Sequence, residues 1–216
     1  TQFPSGIPTK GANRTDGAWG IGGRLGGQWD VSKELSFGLA ASTPVYFQKL
    51  SKYSDILKNR PQLPAIVTGG IAWRVRTDTE LLCDLEELFW KESPFTGKKP
   101  PIGQGWKNSL VFKLGAQHKV TPDLKLRVGY NHSRTPISNK YVLFNALNET
   151  LALVENIFTG GFTYNFTPCF AFDLGGSVTL NKRITDNGKG PAGPAAKGLS
   201  MKGRFLTLSI GFNIKY

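Results

Sequence analysis

The stretch that decides the fold is LTLSIGFNIKY, Leu206 to Tyr216. Every second residue in it, beginning with Leu206, is a large apolar one. The residues between them are Thr207, Ser209, Gly211, Asn213 and Lys215. Strict alternation with a period of two predicts a β-strand that has one apolar and one polar face.

The same alternation recurs about nine times along the chain. The predicted strands are 17–29, 35–47, 63–75, 81–90, 106–119, 124–134, 155–166, 169–182 and 201–216. Short connections, at 30–34, 76–80, 120–123 and 167–168, alternate with long ones at 48–62, 91–105, 135–154 and 183–200. Transmembrane β-barrels have short periplasmic turns and long extracellular loops, whereas a soluble up-and-down barrel does not require this bias. The pattern therefore predicts an all-β, antiparallel transmembrane β-barrel.

Composition agrees with this fold. The chain has 216 residues, of which 26 are glycine and 12% are aromatic. Glycine permits close approach of strands, and aromatic residues form the girdles of membrane barrels. Trp19 and Trp29 lie on the apolar parity of the first predicted strand. At ~3.3 Å per residue and a tilt of ~40°, they are expected to stand roughly 25 Å apart along the membrane normal. A helical span is excluded, because the sequence has no apolar run of about 18 residues.

The net charge of +12 raises the question of nucleic acid. The basic residues are scattered over turns, loops and one strand face, so nucleic-acid binding is not expected. Partners of opposite charge explain the excess better: anionic groups of the lipid bilayer and lipopolysaccharide, or an amphipathic anionic small molecule.

The motifs of enzymes and cofactor proteins are weak in this chain. Gly188, Gly190 and Gly193 form a G-x-G-x-x-G pattern, but no buried strand precedes it, and a flexible extracellular loop is the simpler interpretation. His118 and His132 both fall on the apolar parity, which argues against a metal site or a Ser-His-Asp triad. We therefore expect no cofactor, no metal and no enzyme activity. Cys83 and Cys169 are interpreted as small strand residues, although a disulfide between them stays open.

Several segments taken together resemble the FadL/TodX family of outer-membrane transporters for hydrophobic compounds. The most specific is the hairpin LG-x-x-H-x-VTPDLKLRVGYNHSRTPI, with Gly115, Gly129, Tyr130 and Pro136. The last residues, Ser209, Gly211, Ile214 and Tyr216, also resemble the C-terminal signal of bacterial outer-membrane barrels. The resemblance runs from about Gly17 to Tyr216.

The resemblance implies a fourteen-stranded barrel of which this chain matches the last nine strands. Family members have an N-terminal hatch and a lateral opening, and they pass long-chain fatty acids or other hydrophobic molecules inward. The expected location is the bacterial outer membrane, crossed many times, with residues 1–16 as an extracellular loop. The earlier strands would then be missing or supplied by another chain that completes the barrel.

The polar parity of the strands suggests candidate ligand-binding residues. It carries nine basic side chains, namely Arg24, Arg74, Arg76, Lys107, Lys113, Lys119, Lys125, Arg127 and Lys215. Four acidic ones oppose them, namely Asp84, Glu86, Glu155 and Asp173. In one interpretation, Arg24 and Arg127 pair with Asp84, Glu86 and Asp173 and fill the lumen. In the other, Arg24, Lys113 or Arg127 holds the carboxylate of a fatty acid.

A second candidate lies in the segment LSKYSDILKN, where Leu50, Tyr53 and Leu57 share one helical stripe. The stripe would either pack on the barrel rim or form an outer landing site for hydrophobic molecules. The leading functional hypothesis is an uptake channel that works by diffusion. Two alternatives remain: a non-transporting half-barrel or scaffold subunit of an outer-membrane complex, and a soluble lipid carrier with the opposite face assignment.

Overall fold

Nine antiparallel strands form one sheet in the computed structural model, which describes residues 15–53, 60–100, 102–146 and 150–214. The strands are β1 (Arg24–Asp30), β2 (Leu35–Ser42), β3 (Ile66–Arg76), β4 (Thr79–Leu88), β5 (Ser109–Lys119), β6 (Leu124–Ser133), β7 (Asn156–Thr167), β8 (Phe170–Thr179) and β9 (Leu206–Ile214). Each strand pairs with its neighbours in sequence, from β1 at one edge to β9 at the other. Within the described ranges, no helix is both long and apolar enough to cross a membrane.

The two faces of the sheet follow the alternation in the sequence. In the pair β8–β9, Leu174 lies opposite Ile210 on the apolar face, and Gly175 lies opposite Ser209 on the polar face. The apolar face is exposed: 72% of Leu208 and 59% of Ile210 are accessible. Rings pack along this face, for example Phe172 against Phe212 at 5.5 Å between ring centres. An exposed apolar surface of this extent is typical of a membrane-facing sheet.

The connections confirm the predicted asymmetry. Residues 31–34, 77–78, 120–123 and 168–169 form short turns at one end of the sheet, and the longer connections lie at the other end. In three of the short turns a hydroxyl group accepts backbone N–H bonds from residues two and three positions later. These hydroxyls belong to Ser32, Thr121 and Thr167. Such local bonds satisfy the backbone where the chain reverses direction.

The first predicted strand is interrupted, contrary to the sequence-based expectation. Gly20–Ile21 pairs with Val45–Phe47, which in turn pairs with Gln62–Leu63, in a separate three-stranded sheet. The neighbouring predicted strand is also interrupted, at Pro44, because proline has no N–H to donate to the hydrogen bonds of a β-ladder. Trp19 and Trp29 therefore do not lie on one continuous strand. Their expected separation of roughly 25 Å along the membrane normal stays a prediction.

The buried core lies in the long connections at the loop end of the sheet. Residues 89–100, 102–108, 134–146, 150–155 and 180–205 pack together, and we call this unit the loop cap. Its core residues are Trp106, Ile137, Val142, Leu153 and Met201. Val142 and Leu153 are fully buried, which contributes about 1.5–3 kcal/mol for each side chain.

Polar contacts fix the loop cap. The indole Nε1 of Trp106 donates to Oδ1 of Asn145 at 2.6 Å, at the end of the short helix Val142–Asn145. The buried carboxylate of Asp186 accepts the backbone N–H of Val142 at 3.1 Å. Asp186 directly follows Lys182–Thr185, the first strand of a hairpin whose second strand is Ser200–Gly203. The segment 183–200, expected to be a flexible loop, is therefore a hairpin with a packed turn, and β8 and β9 are shorter than predicted.

Candidate ligand-binding site

A cavity of about 390 Å³ lies between the loop cap and the polar face of the sheet. We call it the cap pocket. Its apolar wall is formed by Leu88, Trp90, Trp106, Val111 and Ile157. The rings of Trp90 and Trp106 meet edge to face, with 4.9 Å between their centres. Two indoles and three aliphatic side chains make this pocket suitable for an uncharged, hydrophobic ligand.

The apolar wall arises because the alternation changes near the loop ends of the strands. Val111 lies opposite Glu86, Leu88 opposite Ser109, and Ile157 opposite Asn131, so all three aliphatic side chains lie on the polar face. The sequence analysis did not identify this pocket. The sequence does contain a sign of it, however: apolar residues stand at positions where the alternation predicts polar ones.

An ion pair lies at the floor of the cap pocket. Lys113 Nζ is 3.1 Å from Glu86 Oε2, and the same oxygen accepts a hydrogen bond from Thr68 Oγ1 at 3.1 Å. Neither charge is fully buried, since 35% of the Lys113 side chain and 20% of the Glu86 side chain are exposed. The pair is therefore partly accessible from the cavity.

A second cavity, of about 620 Å³, continues along the polar face from Lys113 across β5 to β9. We call it the glycine groove, because its lining includes Gly115, Gly129, Gly161, Gly175 and Gly211. Glycine has no side chain, so these five positions add no protruding group to the polar face. Lys113 lines both cavities, which places them next to one another.

Arg127 forms a second charged cluster within the glycine groove. Its Nη1 donates to Thr163 Oγ1 at 2.6 Å and lies 3.7 Å from Asp173 Oδ1. Asp173 also accepts hydrogen bonds from Thr163 Oγ1 and from Asn213 Nδ2. The arrangement holds a charged guanidinium on the wall of the groove with one carboxylate already beside it.

Comparison with known proteins places this geometry in a known fold. No protein-family model and no curated protein matches the sequence. Among solved structures, the toluene transporter TodX of Pseudomonas putida has a TM-score of 0.62 at 15% identity over 92% of this chain and 50% of that one. The toluene transporter TbuX of Ralstonia pickettii gives 0.59 at 16% identity, over 92% and 49%. A FadL homologue of Pseudomonas aeruginosa gives 0.60 at 14%, over 88% and 51%.

This chain has the fold of a FadL-type β-barrel. The family resemblance and the fold class predicted from the sequence are confirmed at the level of the fold. The chain spans about half the length of the solved structures that it matches. In a barrel of this type the apolar face is the membrane face and the polar face is the lumen face, so the cap pocket and the glycine groove lie in the lumen.

Arg24 lies apart from the other candidate residues of the FadL-type lumen. It is exposed on β1, opposite Ser42. Lys113 is on β5, four strands away, which corresponds to roughly 19 Å across the sheet. The structure thus brings Lys113 and Arg127 to one groove and leaves Arg24 outside both cavities. Of the expected pairing of Arg24 and Arg127 with three carboxylates, the structure has the pair Arg127–Asp173. Glu86 pairs instead with Lys113, which was not expected in that network.

The predicted hydrophobic stripe in the first long loop is only partly described. Residues Ser51–Tyr53 form a short 3-10 turn, and Asp16 Oδ2 accepts the backbone N–H of Lys52 at 2.9 Å. Leu50 is half-buried next to this turn. Leu57 lies outside the described residues, so the stripe of Leu50, Tyr53 and Leu57 stays a prediction.

The remaining candidates have structural surroundings. His118 and His132 lie on the membrane face, where their Nδ1 atoms contact Thr79 Oγ1 and Asn156 Oδ1, each at 2.9 Å. Both cysteines are free thiols. Cys83 is in β4 as expected, but Cys169 lies in the turn before β8 and not in a strand.

Glu155 joins segments of the loop cap to one another. Its Oε2 is 2.6 Å from Lys182 Nζ, and its Oε1 accepts the backbone N–H of Thr135 at 3.2 Å. Burial raises the pKa of Glu155, but the hydrogen bonds from Lys182 and Thr135 and the lysine charge outweigh it, so the pKa is lowered. A lowered carboxyl pKa adds stability above the unfolded-state pKa, and this is lost as the pH falls through the folded-state pKa.

Proposed function

We propose that this chain forms part of an outer-membrane channel through which hydrophobic compounds diffuse into the cell. The observation that carries the proposal is the cap pocket: an apolar, tryptophan-walled cavity inside an otherwise polar lumen, adjacent to the glycine groove. The solved structures with this fold include two toluene transporters, which supports a hydrophobic cargo. No covalent chemistry is required, because a difference in affinity along the lumen is enough to guide diffusion.

The energetics favour capture in the cap pocket followed by release along the groove. Removing apolar surface from water stabilises a bound ligand by about 25 cal/mol for each Å² buried. The indoles of Trp90 and Trp106 provide such contacts in the cap pocket. Among the described residues, no tryptophan lines the glycine groove, so the groove lacks these indole contacts. A concentration gradient is sufficient to move a ligand from the cap pocket into the groove.

We propose long-chain fatty acids as the specific cargo of this channel. Lys113 and Arg127 lie on the path, each beside a carboxylate of the protein. A fatty-acid carboxylate would replace Glu86 at Lys113 or Asp173 at Arg127. A charge-assisted hydrogen bond of this kind contributes about 1.5–3 kcal/mol. Arg24 is the third basic residue that the sequence suggested for holding the carboxylate. Because it lies outside both cavities, we propose it only as a contact for the ligand away from them.

The substitution Arg127→Gln tests the fatty-acid proposal. It is expected to weaken binding of a long-chain fatty acid about tenfold or more, because one charged hydrogen bond is lost. Binding of the alcohol of the same chain length should hardly change. The measurement is a paired titration of acid and alcohol, followed by tryptophan fluorescence of the protein in detergent.

Lys113→Gln is the matched variant for the other charged group. Equal losses of affinity for acid and alcohol would make Arg127 and Lys113 structural members of the lumen network. A complete lack of saturable binding by either compound would contradict the channel proposal itself.

The location and orientation belong to the same proposal. The sheet crosses the outer membrane many times, with lipid and lipopolysaccharide against its membrane face. The long connections, with the stripe of Leu50, Tyr53 and Leu57 as an outer landing site, face the cell exterior. Within the described residues β1 and β9 each have one open edge. Further strands, from a longer protein or from another chain, would close the barrel.

Protease added to intact cells tests the orientation. Cleavage is expected only in the long connections, such as 91–105 and 135–154, because the short turns would face the periplasm. Permeabilised cells provide the control, since the turns 30–34 and 120–123 then become accessible. Cleavage of intact cells confined to the short turns would reverse the topology.

A further inference from the structure

A third cavity, of about 490 Å³, lies at the turn end of the lumen face, at the opposite end of the sheet from the cap pocket. Its basic residues are Arg74, Lys119 and Lys125, from the ends of β3 and β5 and the beginning of β6. We call it the turn-end pocket. Neither the comparisons nor the proposed path through the cap pocket and glycine groove gives it a role.

Two lysines oppose one another across this pocket. Lys119 and Lys125 are register partners of the antiparallel pair β5–β6. Their side chains therefore start from the same face with Cβ atoms about 4.5–5.5 Å apart. Like charges directly opposite each other destabilise a sheet, so the pair needs water or an anion between the ammonium groups.

The acidic residues of the pocket are already engaged. Glu80 Oε2 accepts a hydrogen bond from Gln117 Nε2 at 2.5 Å. The Asp78 carboxylate accepts one from Thr79 Oγ1 at 2.7 Å and lies 3.9 Å from His118 Nδ1. Arg74 is fixed through Nη1, which donates to the carbonyl oxygen of Lys33 at 2.9 Å. No carboxylate in the described part of the chain forms an ion pair with Lys119 or Lys125.

We infer that the turn-end pocket binds the carboxylate of an amphipathic anion, held between Lys119 and Lys125. The pocket is polar, so it takes the head group, and the apolar tail extends toward the glycine groove. The inference rests on the proposed function for the supply of this ligand. The turn-end pocket would be a second binding site, at the end of the path opposite the cap pocket. Its positive charge would retain acids in preference to neutral hydrocarbons.

Zero-length cross-linking tests this inference. A water-soluble carbodiimide converts a carboxylate and a lysine amine in contact into an amide, so mass spectrometry identifies the lysine that holds the acid. The probe is a long-chain fatty acid added to the protein in detergent. Amide formation at Lys119 or Lys125 is expected to exceed that at the exposed Lys33, in a neighbouring turn, severalfold and to saturate. Labelling no greater than that of Lys33 would overturn the inference.

Two further cross-linking measurements distinguish a fatty acid from a small anion and from a carboxylate of the protein itself. Acetate at the same concentration should label these lysines far less than the fatty acid, and equal labelling would overturn the assignment to an amphipathic ligand. Cross-links from Lys119 or Lys125 to a protein carboxylate, formed without any probe, would also overturn it.

A double variant keeps the test independent of the cap pocket. Lys119→Gln with Lys125→Gln should abolish the adducts and leave the ligand-dependent tryptophan fluorescence unchanged. Failure of the channel proposal would show as no saturable fluorescence change in the parent protein. Failure of this inference would leave that signal intact while the two lysines stay unlabelled.

Discussion

Replacing Ile210 by arginine is expected to destabilise the folded protein in a bilayer by about 2–4 kcal/mol. Ile210 lies at the middle of β9, opposite Leu174, and 59% of its surface is exposed on the membrane face. At the bilayer midplane an arginine leaves its charge in hydrocarbon, or must distort the lipid to reach water. The measurement is the free energy of unfolding in lipid vesicles, from the urea dependence of heat-modifiable migration on gels.

Ser209→Arg is the matched control for this prediction. Ser209 precedes Ile210 and lies opposite Gly175, on the wall of the glycine groove. An arginine there points into a hydrated lumen, so the loss of stability should be much smaller. Similar losses for the two variants would mean that the two faces do not meet lipid and water, and the soluble carrier would become the better interpretation.

The strands could be predicted because alternation is a local property. Leu206 to Ile214 forms β9 as its sequence pattern indicates, and the short turns fall close to the predicted places. The strand predictions fail where pairing with a segment distant in the sequence determines the local structure. The strand expected to run from Leu35 to Phe47 breaks after Ser42, because Pro44 and the pairing of Val45–Phe47 with Gln62–Leu63 redirect the chain. Alternation alone does not reveal that second sheet.

The charged residues of the site were predictable as a set, but their partners were not. Strand parity placed Lys113 and Arg127 on the lumen face, as the structure has them. Which carboxylate each one meets depends on the register between strands. The register puts Lys113 directly opposite Asp84, yet its ammonium group pairs with Glu86, one step along the same face. Arg24 also has the parity of the lumen face, but its strand, β1, lies four strands away from β5, which carries Lys113.

The apolar pocket was missed for a different reason. Amphipathic strands are recognised by consistent alternation, so Val111 and Ile157 looked like irregularities of the pattern. They are the positions where the polar face meets the loop cap and lines the cap pocket. Local reversals of parity near the ends of several strands are therefore a useful sign of a hydrophobic site in a barrel.

Replacing Gly175 by leucine is expected to reduce passage of hydrophobic compounds about tenfold or more if the groove is the path, an effect equivalent to about 1.4 kcal/mol in the barrier. Gly175 lies in β8 on the wall of the glycine groove. A Cβ at this position would have the carbonyl oxygen of Gly160 as its nearest neighbour, at 3.7 Å. This is an ordinary contact, so the backbone accepts the side chain, and its bulk enters the groove. The measurement is the uptake of toluene or a fatty acid by cells or vesicles that contain the protein.

Gly160→Leu is the control that separates a blocked path from a weakened strand. The backbone of Gly160, in β7, borders the glycine groove, but the register turns a side chain at this position to the membrane face. The nearest atom to a Cβ there is the carbonyl oxygen of Arg127, at 4.0 Å. Both variants exchange a strand glycine for the same residue, but the leucine at position 160 meets lipid. Normal uptake with Gly160→Leu and reduced uptake with Gly175→Leu would place the route in the glycine groove. Equal uptake by the two variants would instead move the route elsewhere, because a groove narrowed by a leucine cannot pass the same cargo at the same rate.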